Sequence, residues 1–218
     1  MKRLVLPGLL LLGLYAPVTA HAQAAIGAGC INSGVNAVPQ PGQNCLIESA
    51  VFTYAATSIA LVPAASATDI ACITGSATKV VRLNSIRIGG TAGTALSTPV
   101  LVTKHVAANT GGTAATSSAL PVPYRIDSAD AAPTATTTAY TANPTITDST
   151  PGIIDGAITT FGVVTASSPS VQFNFFTHIY SEPPTIRGVA QQICVNLNGV
   201  SVSTGSITIS FYWTEQPQ

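Results

Sequence analysis

Apolar and polar residues alternate through residues 192–213, and this alternation constrains the fold more than any other feature of the sequence. The first half places Ile193, Val195 and Leu197 on one side of an extended chain, because successive side chains of a β-strand point to opposite faces. After a turn, the same period continues at Ile207, Ile209, Phe211 and Trp213. Both halves therefore predict strands with one buried face, and Trp213 belongs to the core.

Short strand patterns recur along the chain between turn-forming residues, and no window longer than ten residues shows helical periodicity. At 79–90 the apolar parity changes across Asn84 and Ser85, which predicts a β-bulge. The segment at 108–152 is rich in Thr, Ala, Gly and Pro and predicts long polar loops. Roughly seven to nine strands without helices predict an all-β antiparallel β-sandwich, jelly-roll-like rather than immunoglobulin-like.

Residues 1–22 are typical of a secretory signal peptide, with Lys2 and Arg3 before an apolar run and a small-residue pattern at its end. The run contains prolines and is shorter than the roughly 20 residues of a membrane span. We expect a mature chain that starts at Gln23 and is secreted to the periplasm, the cell surface or the medium. Residues 23–49 are predicted to form an N-terminal extension and residues 50–218 a single β-sandwich domain.

The charge balance excludes one class of partner. Only 7% of the residues are charged, and two of the eight basic residues lie in the signal peptide, which leaves six basic against eight acidic side chains. Such a chain is not suited to neutralising phosphates, so we expect no nucleic acid partner. No segment of the mature sequence is apolar enough to span a bilayer.

Four cysteines occur in the mature part, and an even number in an exported chain favours disulfides. Three connectivities are open, and the one we favour joins Cys30 to Cys45 and Cys72 to Cys194. The second bond would join two strands that are distant in sequence, and Cys194 lies on the less apolar side of its strand. A zinc site is the alternative, but the spacing contains no Cys-x-x-Cys pair.

The mature sequence offers few groups for catalysis. His105 and His178 lie in segments without a catalytic motif, and we predict that both are surface residues. Acidic residues such as Asp127 and Asp130 occur in turn contexts, which favours a structural role over a carboxylate pair or a calcium site. We therefore predict no catalytic residue, no cofactor, no metal site and a protein that is not an enzyme.

Tyrosines are the candidates for ligand contact, because an aromatic ring with a polar end suits a partly wet surface. Trp213 points to the same side of its strand as the core residues, so it is not a candidate. The candidates are Tyr124, Tyr140, Tyr180 and Tyr212. They support an alternative function as an extracellular carbohydrate- or ligand-binding module, by analogy with other sandwich folds.

Several short segments between about residues 50 and 216 resemble a poorly characterised β-sandwich family that is associated with tailed-phage virion proteins, of the decoration or head-fibre kind, and with bacterial relatives. The segments are ATDI at 67–70, TGSATK at 74–79, ANTGGT at 108–113, AYTANP at 139–144, RGVAQ at 187–191, NLNG at 196–199 and WTE at 213–215. The resemblance implies a β-rich structural or surface protein with no catalytic residues. Family members lack a signal peptide and have apolar residues in place of Cys72 and Cys194, so this chain differs from them in being exported and disulfide-bonded.

We therefore expect an exported, non-enzymatic structural or surface-interaction protein that assembles with itself, as a homo-oligomer, or coats a larger particle. The resemblance, the sparse charge and the missing catalytic motifs motivate this function, and the carbohydrate- or ligand-binding module remains the alternative.

Overall fold

We describe the protein from a computed structural model, which places residues 52–163, 169–175, 182–202 and 204–218, together with two short strands at 29–30 and 39–40. Within these residues the fold is all-β, as predicted, and the only helical element is a 3₁₀ turn at Ser117–Ala119. The strands are β1 (Gly29–Cys30), β2 (Pro39–Gln40), β3 (Phe52–Leu61), β4 (Ala67–Thr74), β5 (Lys79–Ala92), β6 (Leu96–His105), β7 (Thr113–Ala114), β8 (Tyr124–Arg125), β9 (Thr136–Ala142), β10 (Gly152–Val163), β11 (Val171–Asn174), β12 (Thr185–Arg187), β13 (Gln192–Val200) and β14 (Ser206–Pro217).

Strands β1 and β2 pair with each other in an antiparallel sheet of their own, with Gly29 opposite Gln40. Residues Ser49–Gln218 form a separate compact unit that contains all the other strands. Among the residues that the structure places, no helix has the length and apolar character that crossing a bilayer requires.

Twelve strands form one large, curled, mixed sheet. Ten of them follow the order β7-β9-β4-β13-β6-β10-β5-β14-β3-β8. The other two, β11 and β12, pair with β5 along the edge opposite β14, which is also the edge that contacts β10. The described strands pair antiparallel except at one short parallel contact, where Gly162 and Val163 of β10 lie beside Thr91 and Ala92 of β5. Strand β10 thereby joins two halves of the sheet. One half contains β4, β6, β9 and β13, and the other contains β3, β5 and β14.

Neither the predicted sandwich nor its jelly-roll form is confirmed, because β10 carries the strand pairing from one half of the sheet into the other and the strands form one continuous sheet. A jelly roll is a double-sheet arrangement. Side chains from both halves nevertheless pack into one apolar core, with Phe211 and Trp213 from β14 and Val102 and Val195 from β6 and β13, all fully buried. Burial of such side chains contributes about 1.5–3 kcal/mol each and supplies the main stabilisation of the fold.

The predicted bulge in β5 is present. Tyr212 pairs with Ser85 and Trp213 pairs with Leu83, so Asn84 is the extra residue between them. Because of this extra residue, the apolar residues before and after the bulge both point into the core. Without the bulge, side chains would alternate strictly along β5, and one of these two apolar runs would face away from the core.

One segment that the sequence predicts as loop contains a strand. Strand β9 pairs antiparallel with β4, with Thr138 opposite Cys72 and Ala139 opposite Ala71. Its threonines and alanines give no apolar alternation, so the period-two signal is missing. Hydrogen bonding to β4, whose residues are buried on both faces, orders the segment instead.

A buried carboxylate fixes the loop that precedes β9. Glu215 on β14 accepts hydrogen bonds from the backbone amides of Thr134 and Ala135, at 3.0 and 2.9 Å, and from Trp213 Nε1 at 3.1 Å. The Thr134 hydroxyl donates a further bond of 2.6 Å. A buried charge is tolerated when donors surround it in this way, so the loop and β14 stabilise each other.

Candidate functional site

The disulfide between Cys72 and Cys194 is formed, as predicted, and joins positions 122 residues apart. The two cysteines lie directly opposite each other on β4 and β13, with a Cα–Cα distance of 4.1 Å. This distance is just below the 4.4–6.8 Å that most disulfides show, as befits a directly opposed pair of an antiparallel ladder. The predicted bond between Cys30 and Cys45 stays a prediction, because Cys45 lies outside the described residues.

The prediction that His105 is a surface residue is wrong. Its side chain is fully buried at the end of β6, and its Nε2 lies 3.2 Å from Asp69 Oδ2 and 3.1 Å from the Thr103 hydroxyl. Asp69 on β4 also accepts hydrogen bonds of 2.7 Å from Asn109 Nδ2 and from Asn196 Nδ2. These residues lie on the face of β4, β6 and β13 that points away from the main core. His178, the other histidine that the sequence predicts at the surface, lies outside the described residues.

The surrounding hydrogen bonds decide the ionisation of Asp69. Burial alone would raise its pKa, but hydrogen bonds from His105, Asn196 and Asn109 outweigh burial and hold the pKa below the usual value. Asn109 comes from the loop after β6, and its Nδ2 also lies 3.8 and 3.7 Å from the sulfurs of Cys72 and Cys194. The loop thereby covers a second, polar core, and this cover is the reason that His105 is buried although the sequence predicts a surface residue.

This buried cluster does not fit a metal ion. A carboxylate oxygen of Asp69 and the sulfurs of Cys72 and Cys194 lie within 4.8 Å of one another. The two sulfurs, however, are bonded to each other at 2.04 Å and so are not thiolates, which are the form of cysteine that binds zinc. The amide nitrogen of Asn109 already contacts all three groups. The arrangement therefore holds strands and loop together.

The four candidate tyrosines have different positions. Tyr124 and Tyr212 are exposed, at 74% and 38%. Tyr140 is only 7% exposed and packs against the Cys72–Cys194 bond, so it is not available to a ligand, contrary to the prediction. The physical reason is again that loops cover the outer face of β4 and β9. Tyr180 lies outside the described residues.

Strand pairing brings Tyr124 and Tyr212 onto one face. Tyr212 on β14 lies opposite Ala55 on β3, and Ala55 lies opposite Tyr124 on β8. On its other side Tyr212 pairs with Ser85 on β5, which pairs with Asn174 on β11. Directly opposed residues point to the same face of a sheet, so these five side chains form one row across five strands. We call the surface formed by this row and its neighbours Arg82 and Arg87 the tyrosine face.

A depression lies beside this row, on the same side of the sheet. It has a volume of about 350 Å³ and is lined by Arg87, Gly89, Gly90, Thr208 and Ser210. The two glycines permit close packing of the chain there, because a Cβ on Gly89 would lie 3.1 Å from Ser170 Cβ and one on Gly90 would lie 2.3 Å from Ser206 O. The exposed guanidinium of Arg87 is held from one side by a 3.2 Å bond from its Nε to the Ser170 hydroxyl.

A different feature lies at β10 in the other half of the sheet. Residues 152–161 of β10 pair with β6 on one side. On the other side, β10 pairs with a described strand only at Gly162 and Val163. Ile153 and Ile158 of this strand are 66% and 75% exposed, and Asp155 is its only charged residue. The face of β10 that carries Ile153 and Ile158 is therefore exposed and largely uncharged, and no described strand pairs with the second edge of residues 152–161.

Comparison of the chain with protein-family models, with curated proteins and with solved structures gives no match. The resemblance to phage virion proteins therefore gains no support from these comparisons and stays a prediction. Any statement about function must come from the surfaces themselves.

Proposed function

We propose that the protein is an exported, non-enzymatic structural or surface-interaction protein, and that copies associate through the edge of β10. The observation that carries this proposal is the edge at 156–160, with which no described strand pairs and beside which the Ile158 side chain is 75% exposed. An exposed strand edge presents unpaired backbone groups and pairs readily with another strand. Proteins commonly protect such edges with charges, prolines or bulges.

The first part of β10 has this protection and the second part does not. A register shift between Ile153 and Asp155, together with the charge of Asp155, interrupts the regular edge at its start. Residues 156–160 follow with the sequence GAITT and pair regularly with β6. They contain no charge and no proline. The part of the edge that can accept another strand is therefore these five residues.

An apolar patch lies beside this edge, on one face of the sheet. Ile158 lies opposite Pro99 on β6, and Gly156 lies opposite Leu101, whose side chains are partly exposed on the same face. Gly156 leaves the Leu101 side chain uncovered, since a Cβ at Gly156 would lie 3.0 Å from Leu101 Cδ2. Strand pairing at β10 would place side chains of the second strand beside Ile158 and remove part of its apolar area from water.

A second copy is the occupant that the geometry favours. Two antiparallel β10 edges related by a twofold axis present the same residues to each other, so one surface serves both partners. The contact closes on itself and extends the sheet from one copy into the next. The export that the signal peptide predicts, and the Cys72–Cys194 bond, are both compatible with an assembly in an oxidising compartment.

Light scattering coupled to size-exclusion chromatography of residues 23–218 tests the proposal. We expect an oligomer that dissociates on dilution and in the variant Ile158→Lys, because a lysine on an edge strand opposes pairing. Val189→Lys is the matched control, since Val189 is 62% exposed but lies in the turn after β12. A strict monomer at millimolar concentration would refute self-association. An oligomer that persists in Ile158→Lys would refute the role of β10.

A further inference from the structure

We propose that the tyrosine face binds an extended acidic polysaccharide, with sugar rings stacked on Tyr124 and Tyr212 and a uronate carboxylate held by Arg87. This inference concerns the half of the sheet that does not contain the β10 edge, and it does not depend on self-association. Three observations carry it: the spacing of the two rings, the distribution of charge, and the depression beside Arg87.

The two rings are separated by one small residue. Tyr124 and Tyr212 flank Ala55 on adjacent strands, so their Cα atoms lie two strand spacings apart, roughly 10 Å. This is close to the length of a disaccharide unit in an extended polysaccharide. Ala55 leaves a shallow trough between the rings, where a second sugar can lie. A chain that crosses the strands can therefore stack alternate rings on the two tyrosines.

The row continues with groups that bind hydroxyls. Beyond Tyr212 lie Ser85 and Asn174, and Gln172 occupies the next row, with its Nε2 2.7 Å from Asn174 Oδ1. Amide and hydroxyl side chains both donate and accept hydrogen bonds, which suits the vicinal hydroxyls of a sugar. The five strands of the row span roughly 19 Å, enough for several sugar units.

The charge of the face selects an acidic ligand. Three arginines point outward on this face: Arg82, Arg87 and Arg187. On β5, Arg82 lies opposite Thr214 and Arg87 lies opposite Ser210. On β12, Arg187 has the same orientation as Thr185, which pairs with Arg82. Three of the six basic residues of the mature chain thus lie on one surface. In the described parts of the chain, none of these arginines forms an ion pair with a carboxylate. A guanidinium without a carboxylate partner is suited to a ligand carboxylate in a bidentate pair.

Arg87 is the arginine that the structure prepares best for this role. Its guanidinium lines the depression of about 350 Å³ together with Thr208 and Ser210. The bond from its Nε to Ser170 restrains one side of the fork and leaves the two terminal nitrogens directed elsewhere. A carboxylate in the depression would meet these nitrogens and the hydroxyl of Thr208, which is exposed.

Single-stranded nucleic acid is also acidic and also stacks on aromatic rings. The mature chain carries more acidic than basic residues, however, and lacks the strongly basic character of proteins that bind nucleic acid. Three arginines suit an acidic glycan, which carries one charge per sugar and would bind with modest affinity, better than they suit a nucleic acid.

The test uses oligogalacturonate as the probe, measured by isothermal titration against residues 23–218 at low salt. We expect binding to the free acid, little binding to the same oligomer with its carboxylates methyl-esterified, and weakening by added salt. Tyr124→Ala and Arg87→Gln should each weaken binding about tenfold or more, as the loss of a stacked ring or a charge-assisted bond predicts. Arg125→Gln is the control, because it removes the same charge from a residue that faces away from Tyr124.

Tyr124 and Arg87 are exposed, so both variants should keep the melting temperature of the parent, and a fold defect is thereby separated from a binding defect. Equal binding of the esterified oligomer would overturn the role of Arg87. Tighter binding of an oligothymidylate than of oligogalacturonate would show a nucleic acid surface and overturn the assignment. No binding of either acid at millimolar concentration would also overturn it, whatever the oligomeric state of the protein.

Discussion

Removing the Cys72–Cys194 bond is the perturbation whose size the structure predicts most directly. The bond closes a loop of 122 residues. In the chain-entropy description a loop of this length restricts the unfolded ensemble by about 5 kcal/mol at 25 °C. Domains are stable by only about 5–15 kcal/mol, so the bond accounts for a large fraction of the total.

The double variant Cys72→Ala/Cys194→Ala avoids leaving a reactive thiol and should be measured by urea unfolding and calorimetry. We expect a loss approaching 5 kcal/mol and a fall in melting temperature of roughly 10–20 °C for a domain of this size. The m-value should increase, because the unfolded chain becomes less compact without the bond.

The predicted bond between Cys30 and Cys45 provides a comparison, since a loop of about 15 residues is worth only about 3 kcal/mol. Cys45→Ala should therefore lower the melting temperature less than Cys194→Ala does. A loss below about 1 kcal/mol in the double variant would refute the entropic argument. So would peptide mapping that finds Cys72 and Cys194 as free thiols in protein from its native compartment.

Three further outcomes are expected. The free energy of unfolding should fall as the pH drops below about 4, because the pKa of Asp69 is lower in the folded than in the unfolded chain. The contribution of Asp69 is complete above its unfolded pKa and is lost as the pH falls through its folded pKa. Urea midpoints at pH 3–6 measure this loss, and Asp69→Asn should flatten the dependence of the midpoint on pH. Glu215→Gln should lower the free energy of unfolding by about 1.5–3 kcal/mol and speed amide hydrogen exchange in the loop before β9. Unchanged exchange would show that Glu215 does not hold this loop. Gly205→Ala should abolish soluble expression, since its Cβ would lie 2.0 Å from Thr91 O, whereas Gly152→Ala, with its nearest contact at 3.9 Å, should express normally.

The alternation of side chains predicted much of the fold. It identified β13 and β14, placed Trp213 in the core and located the bulge at Asn84. These features depend on one buried face, which a period of two reports directly. The pairing of Cys72 with Cys194 was also predicted, as the favoured one of three open connectivities, because both residues occupy strands and Cys194 lies on the less apolar side of its strand.

What the alternation could not show is the layer that covers the outer face of β4 and β13. His105 and Tyr140 have the parity of an outer face, and only the loop that carries Asn109 makes that face an interior. The pairing of Tyr124 with Tyr212 across Ala55 was hidden for a related reason. It depends on the register between strands that are far apart in sequence, and a single sequence does not specify that register.

The position of β14 has a consequence for the order in which the molecule can form. This strand is the last in chain order, yet it lies inside the sheet, with twelve of its residues paired to β5 and its other edge paired to β3. Until residues 206–217 are available, β3 and β5 have no common neighbour and the core lacks Phe211 and Trp213. The other half of the sheet, with β4, β6, β9 and β13, contains no residue of β14 and can pair before this strand is available. We expect the half with β3 and β5 to close late in folding, when β14 pairs with β3 and β5 at once.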